Sequence, residues 1–565
     1  MKIPYGISNF KSLREEGYLY IDKTEYIEKI ENLNSKYLFF MRPRRFGKSL
    51  FLSILEHYYD INGTKDFEGL FGDLYIGKNP TAAKNGYLIL ELDFSGLNTE
   101  NKFELEKSFK LRLIHSITRF IKKYEDFLEN LSILEDSIKN MSDVGSIFSS
   151  FINVVKEADK KVYLIIDEYD HFANDIIAMG DGVFYKEIVR AAGFVRDFYE
   201  TVKIGTKSVI DRIFITGISP IMLDDMTSGF NISTNLTMHA GFNEMLGFTE
   251  DELTGIIEAY GMKEGKDKLV ERLRTYYNGY LFNVGSKRRL YNPDMILYFF
   301  SELQMSGEYP RQLIDDNVKT DYGRLGRLAS NEDNKKLLEE IIKEEAVTSD
   351  IVSKFSFDRM YDRDYFVSLL FYMGMLTIDR QEKTRLLLRM PNYVIKTLYW
   401  EYIENKLKKE FNVYLETESL RRSIEEMAYE GKIEPYIQYI SKNVLMILSN
   451  RDLIGFDEKY IKVILFTYLA SSRAYKINSE RETENGYIDI YLEKDLRMPD
   501  VKYEWLLELK YIKKSDSGKI RQITEEGLNQ LKRYTESRNI TGSKKLKRAL
   551  LIFIGKDVFT IVNCF

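Results

Sequence analysis

Two stretches of this chain combine residue types that handle phosphate. In the first, Met41-Arg42-Pro43-Arg44-Arg45-Phe46-Gly47-Lys48-Ser49 follows an apolar run and precedes Leu50-Phe51-Leu52-Ser53-Ile54-Leu55, which reads as a helix. A strand, a loop and a helix in that order are the context that a phosphate-binding loop requires. Backbone N–H groups at the helix start cradle phosphate oxygens, the lysine neutralises the β and γ phosphates, and the serine hydroxyl binds Mg²⁺. Gly47, Lys48 and Ser49 stand at the required positions, and Arg42 stands where the first glycine is expected. Arg42, Arg44 and Arg45 are expected to add positive charge beside the phosphates. Further on, Val162-Tyr163-Leu164-Ile165-Ile166 ends in Asp167-Glu168-Tyr169-Asp170. An aspartate at a buried strand tip can hold the Mg²⁺ water shell, and the adjacent glutamate can orient and deprotonate an attacking water. Thr216, closing the run Ile213-Phe214-Ile215-Thr216, is a candidate γ-phosphate sensor, although a strand-end threonine is more often merely structural. The plainer readings, a basic turn and an acidic loop, become the minority once Lys48, Ser49 and Asp167 are taken together.

The second stretch lies near the C-terminus, where Tyr487-Ile488-Asp489-Ile490-Tyr491 and Trp505-Leu506-Leu507-Glu508-Leu509-Lys510 put an aspartate and a Glu-x-Lys pair on apolar strands. The 19-residue separation of Asp489 from Glu508 suits a strand, a turn and a returning strand. Lys510, two residues beyond Glu508, projects from the same strand face. Two carboxylates are hard ligands for Mg²⁺ or Mn²⁺, and the lysine can stabilise a phosphorane or position water, which is the chemistry of phosphodiester hydrolysis. Glu458 on a preceding helix is a further candidate metal ligand, Gln530 on a following helix is a candidate polar neighbour, and Glu482 and Glu484 compete as carboxylates. Between Lys502 and Arg548 there are thirteen Lys or Arg against six Asp or Glu, as a surface tracking phosphates would need. Any one of these features alone would be an ordinary solvated face.

Short β-rich runs at Tyr37 to Met41, Tyr87 to Leu92, Val162 to Ile166 and Ile213 to Thr216 alternate with amphipathic stretches, predicting a parallel sheet with helices on both faces. Thr249-Glu250-Asp251-Glu252 reads as a helix N-terminus and opens a small helical lid. Residues 311 to 450 read as almost wholly helical. From 451 onward the order is helix (Glu458 to Ser471), strands (473 to 478, 485 to 492, 503 to 510), helix (Glu525 to Ser537) and strands (549 to 554, 558 to 562). The expected division is therefore 1–248, 249–310, 311–450 and 451–565, an α/β chain with a phosphate-loop domain, a helical lid, a helical middle and a C-terminal α/β domain.

The 565 residues, 44% hydrophobic, are too many for one ordinary domain. With 30% charged residues and a net charge of -5, the bulk composition names no partner. One cysteine, Cys564, excludes an internal disulfide framework and a cysteine-built zinc site and suits a reducing cytosol. Four scattered histidines argue against a histidine-built metal site, and neither they nor Cys564 receive a role. No signal-peptide core or run of ~20 apolar residues is present, which leads to the expectation of a soluble cytoplasmic protein without a membrane partner.

Ile3-Pro4-Tyr5-Gly6, Tyr20-Ile21-Asp22-Lys23-Thr24, the Arg42–Ser49 loop, Asp167-Glu168-Tyr169-Asp170 and Thr216-Gly217-Ile218-Ser219-Pro220 together resemble the AAA-ATPase-like family of bacterial proteins. That family commonly ends in a PD-(D/E)XK nuclease-superfamily domain, so the resemblance implies an N-terminal P-loop NTPase domain and a C-terminal α/β restriction-endonuclease-like domain. The resemblance covers roughly the first 300 residues and, separately, the last 115, and it includes the arginine at the first loop glycine. It implies ATP and Mg²⁺ as cofactors, with Arg45, Gly47, Lys48, Ser49, Asp167 and Thr216 at the nucleotide and Glu168 activating water. It also implies a Mg²⁺-dependent nuclease built on Asp489, Glu508 and Lys510 with Glu458, acting on nucleic acid, foremost DNA, in a chain compatible with a homo-oligomer. Two other readings stay open: a nucleotide-dependent switch or scaffold whose nuclease-like domain only binds nucleic acid, and an inactive P-loop beside an independent nuclease.

Overall fold

The computed structural model describes the chain apart from residues 130–137, 180–181, 191–192, 223–229, 263–264, 317–318, 320–328, 330, 356–358, 360–361, 449–456, 484–485, 536–544, 556–557 and 565. It divides into two compact units. The first holds Met1–Met305, Leu313–Lys335 and Ala346–Tyr393; the second holds Ser306–Gln312, Lys336–Glu345 and Val394–Phe565.

In the first unit, apolar runs become the strands β1 (Tyr37–Met41), β2 (Leu88–Asp93), β3 (Val162–Asp167) and β4 (Ile210–Gly217), joined by the short β5 (Thr234–Asn235). They form a parallel sheet ordered β2-β3-β4-β1-β5. Nearly all residues of β1 and β3 are buried, as expected of a parallel sheet covered on both faces. One face packs on the helix Lys48–Tyr59, where Phe40, Tyr163 and Phe214 share a core with Phe51, Leu55, Tyr58 and Tyr59. The order sets β4 between β1 and β3. Because Phe40 pairs with Thr216 and Ile166 with Ile215, the ends of these three strands reach the same edge.

After the sheet come the helices Glu250–Tyr260, Lys266–Tyr277 and Pro293–Ser306. Thr249 caps the first with a full capping box, its hydroxyl taking the Glu252 N–H while the Glu252 carboxylate takes the Thr249 N–H. The middle is mainly helical, with helices such as Arg363–Tyr372 and Tyr393–Phe411. It also contains an antiparallel sheet of β6 (Ala346–Ser349), β7 (Thr377–Glu382) and β8 (Arg385–Arg389) in the order β6-β8-β7. The almost wholly helical reading did not include this sheet, because its strands are short and half of β7 is polar and exposed.

In the second unit, the helix Glu458–Leu469 leads into β9 (Tyr475–Thr483), β10 (Gly486–Lys494) and β11 (Glu504–Ile512). The helix Ile520–Thr535 then leads into β12 (Leu546–Ile554) and β13 (Val558–Cys564). The sheet order is β13-β12-β11-β10-β9, with β11 and β12 parallel and the other pairs antiparallel. The helix Ile520–Thr535 packs on this sheet through Leu531 and Tyr534 against Leu506, Leu550 and Ile552. Gly527 permits that approach, since a Cβ there would lie 2.6 Å from Leu550 Cδ1. Among the described residues, no helix is long and apolar enough to cross a membrane.

Candidate functional site

The edge where β1, β4 and β3 end gathers most of the first set of candidate residues. The chain leaves β1 through Arg42 and Pro43 and enters the helix Lys48–Tyr59 at Gly47, whose φ of 90° is a conformation an L residue adopts only with strain. Arg45, at φ 66°, carries that strain without being glycine, a departure characteristic of functional loops. The Lys48 ammonium is buried and donates to the carbonyls of Arg42 and Pro43, each at 3.0 Å. Burial lowers its pKa, partly offset by Asp167 and Glu168.

Asp167 is the hub. Its Oδ2 accepts the Ser49 hydroxyl at 2.6 Å, and its Oδ1 accepts the Thr216 hydroxyl at 2.6 Å and the Glu168 N–H at 2.9 Å. Desolvation raises the Asp167 carboxyl, with the two hydroxyls pulling the other way. Ser49, Asp167 and Thr216 are thus brought together, with Lys48 on the same loop. The pair Ser49 and Asp167 is a fitting donor set for a Mg²⁺ that retains most of its water.

Arg42 is placed differently from the expectation. It is 1% exposed and does not line the cavity beside the loop. Its guanidinium donates to the carbonyls of Met41 (2.9 Å), Thr237 (2.8 Å) and Phe242 (2.9 Å) and lies between the Phe40 and Phe282 rings. Burial drives its pKa down to about 9. The expected charge beside the phosphates is therefore not supplied by Arg42, which instead satisfies the carbonyls of the 237–243 segment. Arg44 and Arg45 do face the cavity, and an Arg45 nitrogen lies 3.8 Å from Asp294 Oδ1.

That cavity, about 490 Å³, is lined by Arg44, Arg45, Lys48, Ser49 and Glu168. Ile7, Leu19, Ile21, Met245 and Phe248 supply apolar wall, so the cavity combines the basic residues of the loop with an apolar lining. Glu168 sits at φ 48°. Its Oε2 stands 2.7 Å from His171 Nδ1, and His171 Nε2 is 3.5 Å from Asp175 Oδ2. Burial pushes the Glu168 carboxyl up, but His171, Lys48 and Arg44 together outweigh it and the net shift is downward; Glu168 in turn raises the pKa of His171. This histidine contact was missed in the sequence. Its only signal there was the three-residue spacing from Glu168.

In the second unit, β10 and β11 pair from Leu492↔Trp505 to Ile490↔Leu507. Asp489 and Glu508 are the next residues beyond this run of pairs. Asp489 Oδ2 accepts the Leu509 N–H at 3.1 Å, Glu508 Oε1 accepts from the Lys510 ammonium at 2.6 Å, and Glu458 Oε2 accepts the Tyr511 N–H at 3.3 Å. Glu508 is 1% exposed and its Oε2 has no hydrogen-bond partner. Desolvation, then the Asp489 charge, raises the Glu508 pKa to about 7. Glu458 is raised by burial and by Asp489, against the opposing pull of Lys510. Lys510 is raised too, since its carboxylate neighbours outweigh the opposing effect of burial.

Gln530 Oε1 is also buried without a partner. Tyr534, one helical turn further on, was not singled out in the sequence; burial and the charges of Glu508 and Asp489 push it up to about 12. The side chain of Glu482, and Glu484 as a whole, lie outside the described residues. Among the described residues no three His, Cys, Asp or Glu side chains form a ready-made metal cage. The orphaned Glu508 oxygen beside Asp489 nevertheless fits a hard cation of the kind that binds through one or two carboxylates and keeps its waters.

The fold and these two sites define a phosphate-loop α/β unit and a unit carrying a mixed sheet with an acid-and-lysine centre. Residues 4–227 match the family described as "Predicted AAA-ATPase", and residues 456–563 match the PD-(D/E)XK nuclease superfamily. A protein of Azotobacter chroococcum mcd 1, described as an uncharacterised protein in the vnfD 5′ region, is 24% identical over 309 residues. The match takes in 53% of this chain and 52% of that protein, so the chain spans about half the length of this curated relative. Among solved structures, a Walker-type ATPase of Pyrococcus abyssi shares 13% identity, with 67% of this chain and 94% of that one covered and a TM-score of 0.39. The Orc1 protein of Aeropyrum pernix in complex with DNA shares 9%, with 71% and 94% covered and a TM-score of 0.27. Both structural likenesses are distant.

Proposed function

We propose that this chain binds and hydrolyses ATP in its first unit and hydrolyses DNA phosphodiester bonds in its second, with nucleotide state regulating cleavage. The observation that carries the reading is the acid cluster of the second unit. There a buried Glu508 oxygen lacks a protein partner while Asp489 and Glu458 lie within electrostatic reach and Lys510 stands on the same strand. Asp489 and Glu508, with Glu458, would hold Mg²⁺ or Mn²⁺. Such an ion, when bound, neutralises phosphate charge and makes its water more acidic. Lys510 then stabilises the charge that develops on the attacked phosphate as the leaving oxygen departs.

In the first unit, Lys48 binds the β and γ phosphates and Arg44 and Arg45 add charge in the same cavity. Ser49 and Asp167 would hold Mg²⁺, Thr216 reports on the γ-phosphate through its bond to Asp167, and Glu168 takes a proton from the attacking water. The apolar wall of Ile7, Leu19, Ile21, Met245 and Phe248 receives the base. Residues 249–310, which contribute Pro293, Asp294 and Leu297 to the cavity, serve as the lid.

The test is cleavage of linear and circular, single- and double-stranded DNA with Mg²⁺ or Mn²⁺, with and without ATP. The native chain is compared with Asp489→Ala and Lys48→Ala. Loss of cutting in Asp489→Ala and loss of ATP dependence in Lys48→Ala support the proposal. A native protein that binds DNA but cuts none of these substrates refutes the nuclease and leaves a nucleotide-dependent binding switch.

A further inference from the structure

Glu168 begins the turn that leads from β3 into the helix His171–Met179, and this turn is closely fastened to its surroundings. The Tyr169 N–H donates to the Thr216 carbonyl, and the Tyr169 hydroxyl donates to the carbonyls of Ser219 (2.7 Å) and Ile221 (3.0 Å). The Asp170 carboxylate accepts the N–H groups of Ile218 and Ser219. The His171 N–H donates to the Glu168 carbonyl at 3.1 Å, closing the turn and leaving Glu168 in the left-handed region. With its backbone fixed, the Glu168 side chain is free only in its own torsions, and one carboxylate oxygen, Oε2, stands in close ion-pair contact with the buried His171 Nδ1 at 2.7 Å, which has no other partner among the described residues.

We propose that His171 is a positioning residue for Glu168, holding one carboxylate oxygen so that the other is presented to the nucleotide cavity that Glu168 lines. This rests on the reading of Glu168 as the residue that activates water. A glutamate has three side-chain torsions, and a general base contributes only when held within hydrogen-bond reach of the proton it removes. His171 has carboxylates at both ring nitrogens, Glu168 at Nδ1 and Asp175 at Nε2. That arrangement favours a donor at each nitrogen, and the nearby Arg44 opposes it only weakly. The helix His171–Met179 thus supplies Glu168 with an anchor whose ring has a carboxylate at each nitrogen.

The experiment measures ATP turnover by the full chain for the native protein, Glu168→Gln, His171→Ala and His171→Asn, with ATP binding measured separately. The asparagine amide occupies the place of Nδ1 and keeps a donor for Glu168, whereas alanine removes it. The expected result is a fall in kcat of about tenfold or more for His171→Ala, a part of the roughly hundred- to ten-thousandfold that general-base catalysis contributes. KM and ATP affinity should be unchanged, and His171→Asn should recover most of the loss. Unchanged kcat in His171→Ala overturns the inference, as does a joint loss of ATP binding and kcat that asparagine does not restore, which marks a merely structural histidine. If the native chain releases no phosphate, or Glu168→Gln turns over as fast as native, the hydrolytic reading falls and takes this inference with it. A failure confined to the histidine variants leaves hydrolysis standing.

Discussion

At Asp167 both carboxylate oxygens already accept protein hydrogen bonds, from Ser49, Thr216 and the Glu168 backbone. At Glu508 one oxygen accepts from Lys510 and the other is buried with no partner, beside the charges of Asp489 and Glu458. The first site holds its shape without a ligand, and a cation must displace a hydroxyl–carboxylate bond or join it. The second keeps like charges close in a desolvated place, a costly arrangement that a cation relieves. The lesson is that preorganisation can be reached by satisfying charge in advance or by leaving a charge for the ligand to satisfy.

The most severe way to break this comparison is to remove the charges of the second site. Asp489→Ala should abolish DNA cleavage, and Lys510→Ala should lower it by about a hundredfold or more, the usual cost of losing a group that stabilises transition-state charge. Phosphate release from ATP, measured on the same samples in the absence of DNA, should be retained. At the first site, Lys48→Ala should weaken ATP binding by about ten- to a hundredfold, equivalent to one charged hydrogen bond, read by calorimetric titration.

Arg42 separates the loop's architecture from its chemistry. Arg42→Ala removes a donor from the carbonyls of Thr237 and Phe242, leaving Phe242 only the Met245 N–H at 3.4 Å, and should destabilise the first unit by about 3 kcal/mol. Chemical denaturation measures the loss, and ATP affinity of the folded protein should be nearly native. The smallest effect expected is the linkage between protons and cations at Glu508. Its pKa is raised in the folded chain, so without a cation its contribution to stability is full below the ordinary glutamate value and is lost as pH rises through about 7. A bound cation replaces that proton. Mg²⁺ or Mn²⁺ should therefore raise the unfolding temperature of the second unit more at pH 8 than at pH 6, by roughly a few degrees, and Glu508→Gln should remove the difference in scanning calorimetry.

Much of this fold was legible because its strands are continuous apolar runs. Tyr37–Met41 was delimited from sequence as it is found, and β3 differs from the reading only by the inclusion of Asp167. The Asp489 and Glu508 spacing was legible for the same reason, since period-two alternation fixes which side chains share a face. The β6-β8-β7 sheet was not, because its strands owe their pairing to one another rather than to an apolar pattern of their own. Gln530 could be named from its helix, but the aim of its amide into a desolvated place depends on how closely Gly527 lets that helix approach Leu550.

The sequence by itself determined the phosphate loop, the acidic end of β3, the Asp489 and Glu508-x-Lys510 pattern and the helices and strands that carry them. Each is local, written in residue type and spacing over a few turns or a few pleats. Only the tertiary structure decided that β4 lies between β1 and β3 and so delivers Thr216 to Asp167. It alone turned Arg42 toward carbonyls about two hundred residues away, and it alone set Glu168 on His171 through a left-handed turn. These outcomes depend on strand order, desolvation and backbone conformation, which arise when distant segments compete for the same buried space and which no short stretch of sequence encodes alone.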